Sequence, residues 1–180
     1  QKKPSLQLNL SQKLKLRLFS AQFDNLCLGC ISFCSQFFYS VNVLRCRTCA
    51  ATNFANRGDS VLLRDRYWGP YKGFLSGCDL SIKTYPLLPT GDSPYPFVDI
   101  EGFKHQLTEL CSTQDKVMMW VNDPAHNPTG LSLTPDGRMA MLEALMESAS
   151  VNEDVGHTLL LDAAYHLYAE EPHGWAETIH

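Results

Sequence analysis

Four side chains near the ends of predicted strands could act together on one ligand. Asp162 ends the apolar segment TLLLD, Tyr165 follows it closely, and Asn127 lies in a loop after another apolar segment. A carboxylate after a run of leucines must be solvated or paired, because an isolated buried charge is costly. With the indole of Trp68 as a flat stacking surface, an anion, a phenol and an amide suit a planar heteroaromatic ligand with a basic ring nitrogen and a ring oxygen.

Each of these residues also has an ordinary structural interpretation. Asp162 could cap a helix or form an ion pair at a strand end, and Trp68 could be a core or surface aromatic. Tyr165 could pack beside Tyr168. The ligand interpretation therefore depends on the residues occurring together, since single residues are poor evidence.

The segment NDPAHNPTG, residues 122–130, predicts a stiff and non-helical loop. Proline restricts its own backbone and that of the preceding residue, and this segment holds two such steps and a glycine. The loop follows the strand-like segment KVMMWV and precedes LTPDGRMAMLEALMESA, which has a helical pattern. It therefore lies at the carboxyl end of a strand, where open α/β sheets bind their ligands.

Strands and helices alternate from residue 57 onward. The predicted strands lie in RGDSVLLRD, DLSIKTYPLL, KVMMWVN and HTLLLDAAY. Apolar segments without clean alternation, separated by helices, are typical of βαβ units. We therefore predict an α/β fold with a mainly parallel sheet and helices on both of its faces. The carboxyl ends of the strands then converge on one crevice.

Three helices connect these strands. The first, YKGFLSG, is closed by Gly77, and the second, DIEGFKHQLTELC, has Asp99 as its N-cap. The third begins after Thr134 with Pro135 in its first turn. Its predicted apolar face comprises Leu142, Leu145, Met146 and Ala149.

Composition indicates a globular domain that acts on a small molecule. The chain has 180 residues, of which 44% are hydrophobic and 19% charged, so it can form a substantial core. The net charge of -4 gives no electrostatic reason to expect nucleic acid or an anionic membrane as a partner. We therefore expect neither partner.

The N-terminal region bears on location. Residues 1–23 carry five basic side chains and no acidic one, a pattern that resembles a transit peptide or a disordered basic arm. The apolar stretch from Leu18 to Leu44 is interrupted by polar residues such as Asp24, which argues against a spanning helix. We expect a cytoplasmic protein, with organellar targeting as the alternative.

Four of the seven cysteines form two C-x-x-C pairs. The pairs are Cys27 with Cys30 and Cys46 with Cys49, a spacing also found in four-thiolate zinc sites. The segment between the pairs is apolar and aromatic, whereas a zinc ribbon has little core beyond its metal. We therefore predict buried, reduced cysteines and no metal, with a zinc-binding module at residues 27–49 as the alternative.

Three ordered motifs carry a family resemblance. WGPY at 68–71, HNPTG at 126–130 and DAAY at 162–165 together resemble the fold-type I pyridoxal-phosphate enzymes, specifically the class I and II aminotransferases related to aspartate aminotransferase. The resemblance implies that residues 46–180 are part of the three-layer large domain of such an enzyme. Residues 1–45 form an N-terminal segment of uncertain structure, disordered or unrelated to the family.

The resemblance implies a cofactor role for each candidate. Asp162 would pair with the pyridine nitrogen of pyridoxal 5'-phosphate, and its charge would favour the protonated ring. Asn127 and Tyr165 would hydrogen-bond the phenolic oxygen of the ring, and Trp68 would stack on its face. The implied reaction is transamination between an amino acid and a 2-oxo acid, in an enzyme that is a homodimer when full length.

Some family features have no counterpart in the sequence. The phosphate-binding segment, expected near residues 40–48, reads SVNVLRCRT and has no glycine pair. The Schiff-base lysine is expected a few tens of residues beyond Asp162, whereas the last lysine is Lys116. The arginine that binds the substrate carboxylate is also expected later. We therefore assign no catalytic residue and expect a fragment that is inactive alone.

Two other functions of the same site stay open. A non-catalytic aminotransferase-like protein would keep the pocket without the lysine. A pyridoxal-phosphate-dependent carbon-sulfur lyase would share the cofactor contacts, so these contacts do not define the reaction type.

Overall fold

The computed structural model describes residues 19–20, 50–171 and 174–179. The strands in this part of the chain are β1 (Phe19–Ser20), β2 (Ser60–Arg64), β3 (Ser81–Tyr85), β4 (Lys116–Asn122) and β5 (Gly156–Asp162). The helices are α1 (Pro70–Ser76), α2 (Ile100–Cys111), α3 (Pro135–Val151) and α4 (Gly174–Ile179), together with a 3-10 turn at His166–Tyr168. Residues 50–54 are also helical.

The strands form one sheet in the order β1-β5-β4-β2-β3. Every pairing between these strands is parallel, which confirms the predicted sheet. In the register of β4 and β5, Asn122 lies opposite Asp162, so both strands end at the same level. Parallel strands therefore bring the side chains that follow them to one edge.

Helices cover both faces of the sheet. On the face that we call the α2–α3 face, Leu62 and Met119 pack with residues of those two helices. On the opposite face, the α1 face, Leu63 and Met118 pack with α1 and with residues 50–55. Neighbouring residues of one strand thus enter different layers, as the two-residue period of a strand requires. The predicted three-layer α/β fold is confirmed.

The predicted helix starts are confirmed by their hydrogen bonds. The carboxylate of Asp99 accepts from the backbone N–H of Gly102 at 3.0 Å. The hydroxyl of Thr134 accepts from the N–H of Gly137 at 3.1 Å, and Pro135 follows as the first helical residue. Both caps satisfy donors that the first turn of a helix leaves without partners.

The buried face of α3 differs from the predicted one. Leu142 and Leu145 are buried as expected, but Met146 is only half-buried, as is Ala149. Met141 is buried instead. The reason is that α2 and α4 both pack against α3, so its covered surface extends beyond the stripe that faces the sheet.

Several predictions concern residues outside the described part of the chain. Cys27, Cys30, Cys46 and Cys49 lie there, as does the segment at 40–48, so the zinc and phosphate-binding interpretations stay predictions. The boundary at residue 45 also stays a prediction. Among the described residues, no cluster of His, Cys, Asp or Glu is arranged for a metal ion, and no helix is long and apolar enough to cross a membrane.

Candidate active site

Asp162 ends β5 as a buried carboxylate with a specific donor. Its side chain is 4% exposed, and one carboxylate oxygen accepts from the hydroxyl of Tyr71 at 2.5 Å. The other oxygen lies 3.3 Å from the backbone N–H of Ala164. Hydrogen bonds to a carboxylate offset the cost of its burial. The α1 helix, which starts at Pro70, places Tyr71 over this strand end.

Asn127 and Tyr165 contact each other at the end of the sheet where β5 ends. The side-chain amide of Asn127 donates to the Tyr165 hydroxyl at 2.9 Å. The backbone N–H of Asn127 donates to the side-chain oxygen of Asn122 at 2.7 Å, and the Asn122 amide donates to the Asp162 carbonyl at 2.8 Å. Asn122 therefore links the loop after β4 to the end of β5.

Trp68 joins the group through Tyr71. The two rings meet edge to face, with centroids 5.6 Å apart and an interplanar angle of 87°. Trp68 is half-buried, so part of the indole stays accessible. The structure thus brings together all four predicted residues. We call the set the strand-end cluster: Trp68, Tyr71, Asn122, Asn127, Asp162 and Tyr165.

The loop that carries Asn127 is held by its own hydrogen bonds. The backbone N–H of Ala125 donates to the Ser132 hydroxyl at 2.9 Å, and the N–H of His126 donates to the Leu131 carbonyl at 2.8 Å. Gly130 has φ of 72°, a left-handed conformation that glycine adopts without steric cost. These contacts agree with the stiff loop that the two prolines predict.

His126 sits in the middle of this loop as a buried imidazole. It is 2% exposed, and its Nδ1 atom lies 2.8 Å from the Thr129 hydroxyl. Burial, and then the positive charge of Arg64, lowers its pKa to about 4. A neutral imidazole is therefore the form present in the loop at neutral pH.

Tyr71 and Asn122 are parts of the site that motif reasoning did not assign. Tyr71 belongs to the WGPY segment, but nothing in its local sequence shows that its hydroxyl reaches Asp162, 91 positions away. Asn122 had a usable signal, because it ends its strand as Asp162 ends the next one. Two polar residues that end neighbouring parallel strands are expected to meet.

Comparisons with known proteins identify the family of this chain. The sequence model of the aminotransferase class I and II family matches residues 38–179. The mitochondrial aspartate aminotransferase of Schizosaccharomyces pombe is 28% identical over 124 residues, which cover 67% of this chain and 25% of that protein. The chain therefore spans about a quarter of the length of this relative.

Solved structures share the fold. An aminotransferase from Anaerococcus prevotii has a TM-score of 0.65 and 25% identity, over 73% of this chain and 31% of its own. A pyridoxal-phosphate-bound C-S lyase from Staphylococcus hominis has a TM-score of 0.50 and 17% identity, over 65% of this chain and 27% of its own, and shows the fold alone. Since the family model covers most of the sequence, this chain belongs to the class I and II aminotransferase family.

Proposed function

We propose that this chain forms part of the cofactor site of a pyridoxal-phosphate-dependent aminotransferase, which exchanges an amino group between an amino acid and a 2-oxo acid. The observation that carries the proposal is the buried Asp162 carboxylate, held by Tyr71 beside the Asn127–Tyr165 pair. The chain spans 25% of its yeast relative, so the activity of a whole enzyme is part of the proposal.

The donor and acceptor set of the strand-end cluster fits this cofactor. Asp162 supplies an acceptor for a protonated ring nitrogen, and the hydrogen bond from Tyr71 fixes the orientation of its carboxyl group. Asn127 uses one amide hydrogen on Tyr165 and keeps a second for a ring oxygen. When bound, pyridoxal phosphate supplies an electron sink for the substrate carbanion.

The chain's own residues would bind and orient the ring. Asp162 would hold a proton at the ring nitrogen, because an adjacent negative charge favours the protonated form. Asn127 and Tyr165 would donate to the phenolic oxygen and fix the in-plane orientation. Trp68 would form one wall, as expected for an aromatic surface beside a flat ring. The loop's internal hydrogen bonds would keep Asn127 in place.

No lysine in the described part of the chain belongs to this cluster. Lys72 is exposed on α1, Lys83 and Lys104 form ion pairs with Glu109 and Glu147, and Lys116 begins β4 at the opposite end of that strand. We therefore propose that the isolated chain binds the cofactor without a covalent bond and does not transfer amino groups. The same observation favours a second candidate, a non-catalytic aminotransferase-like protein.

A titration with pyridoxal phosphate tests the proposed site. Binding of pyridoxal phosphate should quench the tryptophan fluorescence of the wild-type chain. Asp162→Asn should weaken this binding at least tenfold, a change of about 1.4 kcal/mol in binding free energy. Asp154→Asn is the matched control, because Asp154 is exposed. Equal affinity of wild type and Asp162→Asn would contradict the assignment.

Borohydride reduction tests the predicted inactivity. After reduction of the mixture of chain and cofactor, mass spectrometry should find no single lysine that carries a covalently attached pyridoxyl phosphate group, which is the label. One specifically labelled lysine, together with amino-group transfer to a 2-oxo acid, would overturn this part of the proposal. Labelling without transfer would show a covalent site in a non-catalytic protein, and would overturn the non-covalent binding alone.

A further inference from the structure

A second buried charged group lies behind the loop that carries Asn127. Arg64, the last residue of β2, is 2% exposed. Within the described residues, none of its three guanidinium nitrogens has a hydrogen bond of ordinary geometry, and neither does the neighbouring Tyr85 hydroxyl. A buried guanidinium without a partner is costly, so a nearby negative charge is needed to balance it.

The register of the sheet identifies that charge. Arg64 pairs with Tyr85, and it lies two residues beyond Leu62, which pairs with Met119 of β4. Side chains two residues apart on a strand share a face, so Arg64 lies on the α2–α3 face. Asp123 continues the same face just after β4 and is fully buried.

Asp123 ties together three parts of the structure. One carboxylate oxygen accepts from the backbone N–H of Leu133, at the far end of the loop, at 2.8 Å. The other accepts from the indole N–H of Trp175 in α4, also at 2.8 Å. A single carboxylate at the end of β4 therefore closes the loop on one side and holds α4 on the other.

Several groups act on the Asp123 carboxyl. Burial raises its pKa, whereas the positive charge of Arg64, the hydrogen bonds from Leu133 and Trp175, and the charge of Arg138 all favour the ionised form. Other titratable groups around Arg64 are Tyr85 on β3, His126 in the loop, and Asp65, whose negative charge acts on both Tyr85 and His126.

The guanidinium of Arg138, a second buried arginine, contacts other partners. It forms an ion pair with Glu171 at 2.6 Å and donates to the Leu133 carbonyl at 2.9 Å. Its Nε atom lies 3.3 Å from the Thr178 hydroxyl. Arg64 makes no ion pair or hydrogen bond of ordinary geometry among the described residues, and its charge favours the ionised form of Asp123 more than that of Arg138 does.

We propose that Arg64 is a positioning residue: its buried positive charge balances Asp123, and Asp123 in turn holds the loop that presents Asn127 to the cofactor. The effect on the cofactor rests on the proposed function. The coupling of Arg64 and Asp123 does not, because both are held within the chain itself.

A double-mutant cycle tests the coupling without cofactor. Arg64→Met keeps an unbranched apolar stem and removes the charge, so it should increase the equilibrium constant for unfolding in urea at least a hundredfold. Asp123→Asn alone should also destabilise the chain, because asparagine accepts from only one of the two donors, Leu133 and Trp175. If the charges are coupled, Asp123→Asn should cost at least tenfold less in the Arg64→Met background than in wild type. Arg66→Met is the control, since Arg66 is exposed. Equal costs of Asp123→Asn in wild type and in Arg64→Met would overturn the proposal.

The ionisation of Asp123 provides a readout that a merely structural role of Arg64 would not change. The indole of Trp175 donates to the Asp123 carboxylate, so its resonance should report this ionisation in a pH titration. The chain has three tryptophans, so 5-fluorotryptophan labelling should give three resonances, and Trp175→Phe assigns one of them. In Arg64→Met the midpoint of the Asp123 titration, followed at Trp175, should move up by at least one pH unit, because a positive charge that favours the carboxylate is lost. Arg64→Lys restores the charge and should restore the midpoint. If Arg64→Met does not fold, Arg64→Lys is compared with wild type. An Arg64→Lys variant that does not fold, or that folds without the wild-type midpoint, would overturn the proposal.

Cofactor affinity separates this inference from the proposed function. Arg64→Met should weaken pyridoxal phosphate binding about tenfold, and Arg64→Lys by less than threefold. If no variant, including wild type, binds the cofactor, the proposed function fails while the cycle still decides the coupling. If Arg64→Met binds as tightly as wild type and shows no coupling to Asp123, the positioning role is wrong while the cofactor site stands.

Discussion

At the scale of single residues, the Tyr71 hydroxyl donates a hydrogen bond to the buried Asp162 carboxylate. Tyr71→Phe removes that donor and leaves the ring packing in place. Because a buried acceptor then loses a partner, the free energy of unfolding should fall by about 1–3 kcal/mol. Urea denaturation followed by circular dichroism measures this change.

The matched control is Tyr67→Phe. Tyr67 is half-buried, and its hydroxyl has no hydrogen bond to another residue of the part that the structure describes. This variant should stay within about 0.5 kcal/mol of wild type, as is usual for substitutions away from buried contacts. Equal losses in the two variants would show that the Tyr71 hydroxyl contributes nothing specific.

His126 predicts a pH dependence of stability. Burial and then Arg64 lower its pKa from 6.5 to about 4, so between these values the unfolded chain binds more protons than the folded one. The free energy of unfolding should therefore fall as the pH drops from about 6.5 to 4, by on the order of 3 kcal/mol from this group. Urea denaturation at a series of pH values measures the slope.

His126→Gln should reduce this slope. The dependence will not vanish, because burial also lowers the pKa of His157, which acts in the same direction. The difference between wild type and variant isolates His126, since the acidic residues contribute to both. A variant with the wild-type slope would show that His126 titrates normally in the folded chain.

At the scale of elements, Thr134 determines where α3 begins. Its hydroxyl accepts from the N–H of Gly137, so Thr134→Ala leaves a first-turn donor without a partner. The expected loss in the free energy of unfolding is about 1 kcal/mol. Thr134→Ser keeps the capping hydroxyl and should therefore keep most of the wild-type stability. Thermal and urea unfolding measure the difference.

Thr108→Ala serves as the control for this substitution. Thr108 lies inside α2, and its exposed hydroxyl donates to the Lys104 carbonyl one turn earlier. Alanine has the higher helix propensity there, so this variant should be neutral or slightly stabilising. Equal destabilisation by both alanines would contradict the role of Thr134 as a cap.

The helix starts could be predicted because their signals are local. Asp99 and Thr134 act on donors three residues away, and the strands show as short apolar segments between turns. The buried face of α3 could not be predicted, since it depends on α2 and α4, which both pack against it. A periodic pattern identifies a helix more reliably than it identifies every surface that its neighbours cover.

The candidate site divides in the same way. Asn127, Asp162, Tyr165 and Trp68 were predicted because they lie in recognisable motifs near strand ends. Tyr71 was not, because its contact with Asp162 depends on how α1 lies over β5. The link from Asp123 to Trp175 was not predicted either, because it joins residues 52 positions apart through a buried side chain.

At the scale of the whole molecule, β4 is the central strand and belongs to both layers. Met118 faces α1 and Met119 faces α2 and α3, and both are fully buried. A cavity on either side should therefore weaken the same sheet. Met118→Ala and Met119→Ala should each lower the free energy of unfolding by about 2–5 kcal/mol.

The decisive observation is the number of transitions. If the two helical layers depend on one sheet, each variant should unfold in a single step, with coincident curves from tryptophan fluorescence and circular dichroism. Met139→Ala is the control, because Met139 is 43% exposed and should change stability by less than about 1 kcal/mol. Two separate transitions in Met118→Ala alone would show that the α2–α3 face folds independently of the α1 face. Because Asp162 receives its donor from α1 and Asn127 is held from the α2–α3 face, that result would also mean that the candidate site lies between two units of different stability.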